Sequence, residues 1–183
     1  MTYTTRSILG ALAPLLLVLA IGLAGCAGGA TGSGSNGGGI EGAAAPAIGV
    51  SPSVTTVNSG EEFDVSIVLK VQNPVNAAGF VMTWTGSGAV ECINTIDEGE
   101  LFKAAGDTLR VGGDYNAGSG TKGQVAISSL ADKGVTGSGT LFVFHFKAVT
   151  PGEVNLNLSQ IQVCDLDANV ISIKQYDGKV VIK

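Results

Sequence analysis

The chain has 183 residues, room for one domain of ordinary size and some additions. Ten Lys and Arg against fifteen Asp and Glu leave a formal net charge of −5, which excludes a nucleic-acid reader built on a basic face. Hydrophobic residues make up 45% and charged residues 14%, so most of the chain can bury a core, and the single His excludes any two-His metal motif.

Arg6 is the only charge before Glu41. It precedes an apolar run, Ile8–Leu23, of 16 residues interrupted by Pro14. A spanning helix needs about 20 apolar residues. A basic start, a short apolar core and small residues at the end read as a secretory signal peptide. The run ends Leu23-Ala24-Gly25-Cys26, which resembles the lipobox of bacterial lipoproteins. That resemblance implies cleavage before Cys26, a lipid on Cys26, and an exported chain anchored to a membrane of the cell envelope or cell surface. Residues 27–49 then hold nine Gly in 23 positions. On this reading residues 1–25 are the signal peptide and 26–47 a flexible Gly/Ser/Ala linker with a span of about 25 Å. Residues 48–183 are the domain, long enough to bury about two thirds of its unfolded surface without metals or disulfides.

Within the domain the hydrophobic period is 2. Phe63, Val65, Ile67 and Leu69 share one face of a strand, and Phe80, Met82 and Trp84 one face of the next. The stretch Ile96–Ala105 breaks the alternation and is the place for a short helical turn or long loop. Val125 and Ile127, then Phe142, Phe144 and Phe146, then Leu156 and Leu158, continue the pattern. Ile161 and Val163 resume it only after Ser159-Gln160 shifts the phase, which predicts a bulge. Val180 and Ile182 close the chain. Turn signals punctuate these runs: Asn58-Ser59-Gly60, Gly86-Ser87-Gly88, Gly112-Gly113, Gly137-Ser138-Gly139, Pro151-Gly152 and Asp177-Gly178. Short half-apolar strands with such turns specify an all-β sandwich of two packed antiparallel sheets.

Several stretches in order resemble the cohesin family, the jelly-roll modules that receive dockerins. They are the opening Val57-x-Ser59-Gly60-Glu61-x-Phe63-x-Val65, the strand Gly79-Phe80-Val81-Met82-Thr83-Trp84, and Gly139-Thr140-Leu141-Phe142-Val143-Phe144-His145-Phe146-Lys147-Ala148. The tail Ile161-x-Val163-x-Asp165-x-x-x-Asn169-Val170 and the close Asp177-Gly178-Lys179-Val180-Val181-Ile182 complete them. The resemblance implies a nine-stranded jelly-roll β-sandwich and a protein partner, a dockerin-bearing polysaccharide-degrading enzyme. It implies a docking face on the outer side of one sheet, built by the third, fifth, sixth and eighth strands. On this chain that face carries Ala77, Gly79, Val81, Thr83, Thr108, Arg110, Gln124, Ala126, Ser128, Asn155 and Asn157. Many cohesins place Asn and Asp at the positions of Ala77 and Gly79, and this chain has neither.

Rival functions start from the same fold, since cohesins share it with carbohydrate-binding modules. A module that engages polysaccharide directly needs exposed aromatics for pyranose stacking. Trp84 shares a face with Phe80 and Met82, which assigns it to the core, and Tyr115 and Tyr176 lie near strand ends. A structural or adhesive envelope domain is the third reading. No catalytic residue, cofactor site or metal site is assigned. No Ser sits in a Gly-x-Ser-x-Gly elbow, and His145 lies on the polar side of its strand. Asp165-x-Asp167-x-Asn169 opens like a calcium loop, but Val170 and Tyr176 stand where an EF-hand needs Gly and Glu, leaving a polar turn or a calcium site of another kind. Cys92 and Cys164 remain after Cys26. Export favours a disulfide between them; the apolar parity of Cys92 with Val90 favours two buried thiols.

Overall fold

A computed structural model describes residues 39–93, 95–112 and 122–183. The signal peptide, Cys26, most of the expected linker and Tyr115 lie outside the described residues. In chain order the elements are β1 (Ala47–Ser51), β2 (Val54–Val57), β3 (Glu62–Gly86), β4 (Ala89–Cys92), β5 (Asp97–Glu98), α1 (Glu100–Lys103), β6 (Thr108–Gly112), β7 (Lys122–Ser129), β8 (Val135–Thr150), β9 (Gly152–Asp165), β10 (Lys174–Tyr176) and β11 (Gly178–Ile182). The helical turn falls inside Ile96–Ala105, as the break in alternation predicts.

The two apolar runs around Leu69 and Phe80 are one strand. β3 runs for 25 residues and belongs to both layers of the sandwich. Its first half pairs with β1 and β8, and β8 pairs in turn with β4 and β5. Its second half pairs with β7 and β9. Outside these, β6 pairs with β7 and β11 with β9, while β2 lies parallel to β11 and β10 parallel to β1.

The layers close on one core. Val65, Ile67, Leu69, Phe80, Met82 and Trp84 of β3 meet Phe142, Phe144 and Phe146 of β8, with Val154, Leu156, Leu158 and Val163 of β9 beside them. Trp84 stands edge-on to Phe146 at 5.2 Å between ring centroids, and Phe80 edge-on to Phe142 at 5.9 Å. Such edge-to-face pairs use the ring quadrupole and add to the gain from area burial. Trp84 is therefore a core residue, as its parity predicts.

Two expectations need correction, and one left open is decided. Residues 39–47 are not free linker: Ile40 is fully buried, the 3₁₀ turn Ile40–Gly42 packs against β1, and Glu41 Oε1 accepts from Ser51 Oγ at 3.0 Å. One isoleucine in a Gly/Ala stretch is enough apolar surface to dock it. Gly137-Ser138-Gly139 is not a turn but part of β8, paired with Val71, Lys70 and Leu69. Gly137 takes φ 99°, a backbone that favours glycine, and Gly139 lies against Leu101 of α1. Cys92 and Cys164 are both buried thiols, not bonded to each other. Cys92 belongs to the main core, while Cys164 belongs to a small separate cluster on the far side of β9.

The phase shift at Ser159-Gln160 is a β-bulge. Gly79 pairs with Gln162 but Val81 pairs with Ser159, so two residues of β9 stand opposite one of β3. Gln160 takes φ 49°, the left-handed conformation that a bulge of this kind usually assigns to glycine. The slip keeps Leu156, Leu158 and Val163 on the core side of one continuous strand.

Candidate functional site

The sheet β9-β3-β7-β6 has an outer face that the register defines. Residues paired directly across an antiparallel sheet project to the same side. Ala77 pairs with Ser128 and Cys164, Gly79 with Ala126 and Gln162, Val81 with Gln124 and Ser159, and Thr83 with Asn157. Asn155 pairs with Thr85 on the same side. Ala78, Phe80, Met82 and Trp84 take the core side. So nine of the residues expected on one face do share it: Ala77, Gly79, Val81, Thr83, Gln124, Ala126, Ser128, Asn155 and Asn157.

Arg110 does not. It pairs with Ile127, a core residue, and its guanidinium lies 5.9 Å from the centroid of the buried Phe142 ring. Thr108 likewise pairs with the buried Ser129, and its Oγ1 donates to Glu98 Oε1 at 2.9 Å. Both belong to the inner side of β6. An edge strand puts its inner side at the rim of the sandwich, where the aliphatic stem of an arginine covers an aromatic while its head stays wet. The residues that β6 turns outward are Leu109 and Val111, opposite Ser128 and Ala126. Sequence reasoning missed them because alternation alone assigns apolar residues to the core.

The centre of this face is low and apolar. Ala77, Ala126 and Cys164 form a buried cluster against which Leu109 and Val111 pack. Val81 is 3% exposed, Ala126 4% and Ala77 fully covered, although all three project away from the main core. Polar groups tie the floor together: Ser128 Oγ donates to Asn76 O at 3.2 Å and Ser159 Oγ to Val81 O at 3.4 Å. Burial and the adjacent Asp165 both push the Cys164 thiol up, so it stays protonated and unreactive. Gln124 and Asn157 are half-buried and Asn155 exposed around this floor.

Elsewhere the polar motifs have structural partners. Asp165 Oδ1 accepts from the backbone N–H of Asp167 at 2.9 Å and of Asn169 at 2.8 Å, and its Oδ2 from Asn169 Nδ2 at 3.1 Å. These bonds hold the Asp165 carboxyl below its usual range. The motif is thus a turn closed by its own aspartate. No group of three or more metal-ligating side chains comes together among the described residues. No aromatic is exposed among them either; Phe63 and Tyr176 are half-buried.

No family model matches the sequence, and no curated protein matches it. Solved structures do. A non-cellulosomal cohesin from the hyperthermophilic archaeon Archaeoglobus fulgidus is 20% identical with a TM-score of 0.59, over 75% of this chain and 90% of that one. A type II cohesin domain from the cellulosome of Acetivibrio cellulolyticus is 12% identical with a TM-score of 0.62, over 73% of this chain and 94% of that one. The fold is the cohesin fold. A type I cohesin from Clostridium thermocellum, solved in a cohesin–dockerin complex, is 15% identical with a TM-score of 0.57, over 75% of this chain and 98% of that one.

Proposed function

We propose that this chain is a non-catalytic docking module, exported and held at the cell surface by a lipid on Cys26. It receives a protein partner on the outer face of β9-β3-β7-β6. The observation that carries this reading is the composition of that face. Its floor of Ala77, Gly79, Val81 and Ala126 is apolar and low, Leu109 and Val111 stand beside it, and Gln124, Asn155 and Asn157 add polar groups. An apolar centre with a polar surround is the anatomy of a protein interface. The partner class follows from the fold neighbours solved in complex with dockerins, and makes a dockerin-bearing polysaccharide-degrading enzyme the first candidate. Because Ala77 and Gly79 offer no side-chain hydrogen bonds, apolar contact with β6 carries more of the recognition. The burial of Trp84 and the lack of an exposed aromatic among the described residues favour a protein over a polysaccharide.

The test uses the full chain. Dockerin-containing proteins of the source cell are captured on it, and the affinity of each captured protein is measured by calorimetry. Leu109→Glu and Val111→Glu are expected to weaken binding by about 2 kcal/mol or more, as charges placed in an apolar interface centre. Because both positions are only half-buried, melting should shift little. Unchanged affinity in both variants moves the site off this sheet. Binding to polysaccharide with no dockerin-bearing partner replaces the reading with the carbohydrate one.

A further inference from the structure

The opposite outer face, on the layer of β8, carries the chain's only histidine. His145 of β8 sits between two carboxylates from two other strands. Its Nδ1 is 2.6 Å from Asp64 Oδ1 of β3, and its Nε2 is 3.2 Å from Asp97 Oδ2 of β5. A carboxylate has no proton to give, so both ring nitrogens must donate, and only the imidazolium can do that. The ring is mostly covered, its side chain 20% exposed, while Asp64 and Asp97 are open to solvent.

The strand that Asp97 belongs to is short. β5 is two residues long, pairing Asp97 with Val143 and Glu98 with Phe142. Beside it Ile93 N–H donates to His145 O at 2.9 Å and Gly99 N–H to Leu141 O at 2.7 Å. The Glu98 end is held further, by Thr108 Oγ1 donating to Glu98 Oε1 at 2.9 Å, by Lys103 Nζ donating to Glu98 O at 2.8 Å, and Ile96 before the strand is fully buried; at the Asp97 side chain itself the link to His145 is what ties β5 to the face of β8.

We propose that Asp64–His145–Asp97 is a pH-operated clasp, in which the imidazolium fastens the Asp97 end of β5 to the sheet and loss of its proton loosens that end. The chemistry selects which end lets go. A neutral imidazole keeps one N–H, and the shorter contact to Asp64 retains it. Nε2 then presents a lone pair to the Asp97 carboxylate, and attraction turns into repulsion. The surrounding charges hold the proton on. Glu62 and Asp64 of β3, Glu91 of β4 and Asp97 of β5 outnumber Lys147 of β8, which pairs across to Glu62 and Glu91. Burial of the ring works against its charge. The hydrogen bonds and charges of Asp64 and Asp97 outweigh burial and raise the histidine above its ordinary 6.5. The fastening is therefore complete below the ordinary histidine value and lost as pH rises through the raised one.

The clasp does not depend on the docking reading, and its test is separate. In the full chain, the single imidazole gives an unambiguous NMR titration. The measurement is that titration, together with hydrogen-exchange protection of the Gly99 amide corrected for intrinsic exchange. His145 is expected to titrate above the ordinary value, and Gly99 protection to fall about two- to fivefold across the same midpoint, the range for a partly exposed ion pair. Asp97→Asn should lower the midpoint and remove the pH dependence of Gly99 protection; Asp64→Asn should lower the midpoint as well. His145→Gln should leave Gly99 at its released level at every pH. A midpoint at or below the ordinary value, or Gly99 protection that ignores pH, overturns the clasp.

Discussion

Val81 points away from the core yet is 3% exposed, so its position and its environment disagree. Leu109 points to the same side and is half-buried. The two therefore make an informative pair. Val81→Glu must place a carboxylate where there is almost no water, and it is expected to destabilise the fold by about 2 kcal/mol or more. Leu109→Glu is expected to stay within about 1 kcal/mol. Equal melts for both would mean that the floor at Val81 opens easily. The turn at Asp165 allows a second residue-scale test. Its carboxylate is already engaged by two backbone amides and one side chain. EDTA should leave the melting midpoint of the full chain unchanged, whereas Asp165→Ala should lower it. A fall of many degrees with EDTA would assign the turn to calcium.

At the scale of the element, Gln160 is the instructive case. A non-glycine residue at φ 49° pays for a left-handed backbone that glycine adopts freely. Gln160→Gly is expected to stabilise by about 0.5–1 kcal/mol and Gln160→Val to destabilise, read as opposite shifts in denaturation midpoint. The same strand shows what alternation can reveal. The slip between Leu158 and Ile161 was legible because a bulge is a change of phase, and phase is written in the order of apolar residues. The side of β6 was not legible. In Thr108-Leu109-Arg110-Val111 the apolar residues face outward because the short side chains of Ala77 and Ala126 leave them a place to pack. Arg110 faces inward because the rim of the sandwich lets it cover Phe142. Both causes lie on other strands, outside any local window. The docking of Ile40 was hidden for a related reason, since a single apolar residue has no period.

For the whole molecule, the sandwich and most of one face could be read from the order of short alternating runs. What could not be read is that two of those runs are one strand serving both layers. The pairing partners of β3 lie far along the chain: Glu62 pairs with Lys147, Ala77 with Ser128, and Val75 with Asp165. This arrangement dictates an order in time. A chain emerging from its N-terminus makes β3 early and then has little to pair it with except β1. The strand stays open until β7, β8 and finally β9 arrive, and folding dominated by such distant pairings is slow, on the order of milliseconds to seconds. During that interval a 25-residue, half-apolar strand has one edge bare along its length and the other covered only where β1 pairs, the condition that favours pairing with other chains. A chain ending at Pro151, which lacks β9 to β11, should therefore fail to fold. It is expected to be digested by protease at low concentration and to sediment as aggregate at high concentration; a soluble, protease-resistant fragment would show that the first eight strands suffice.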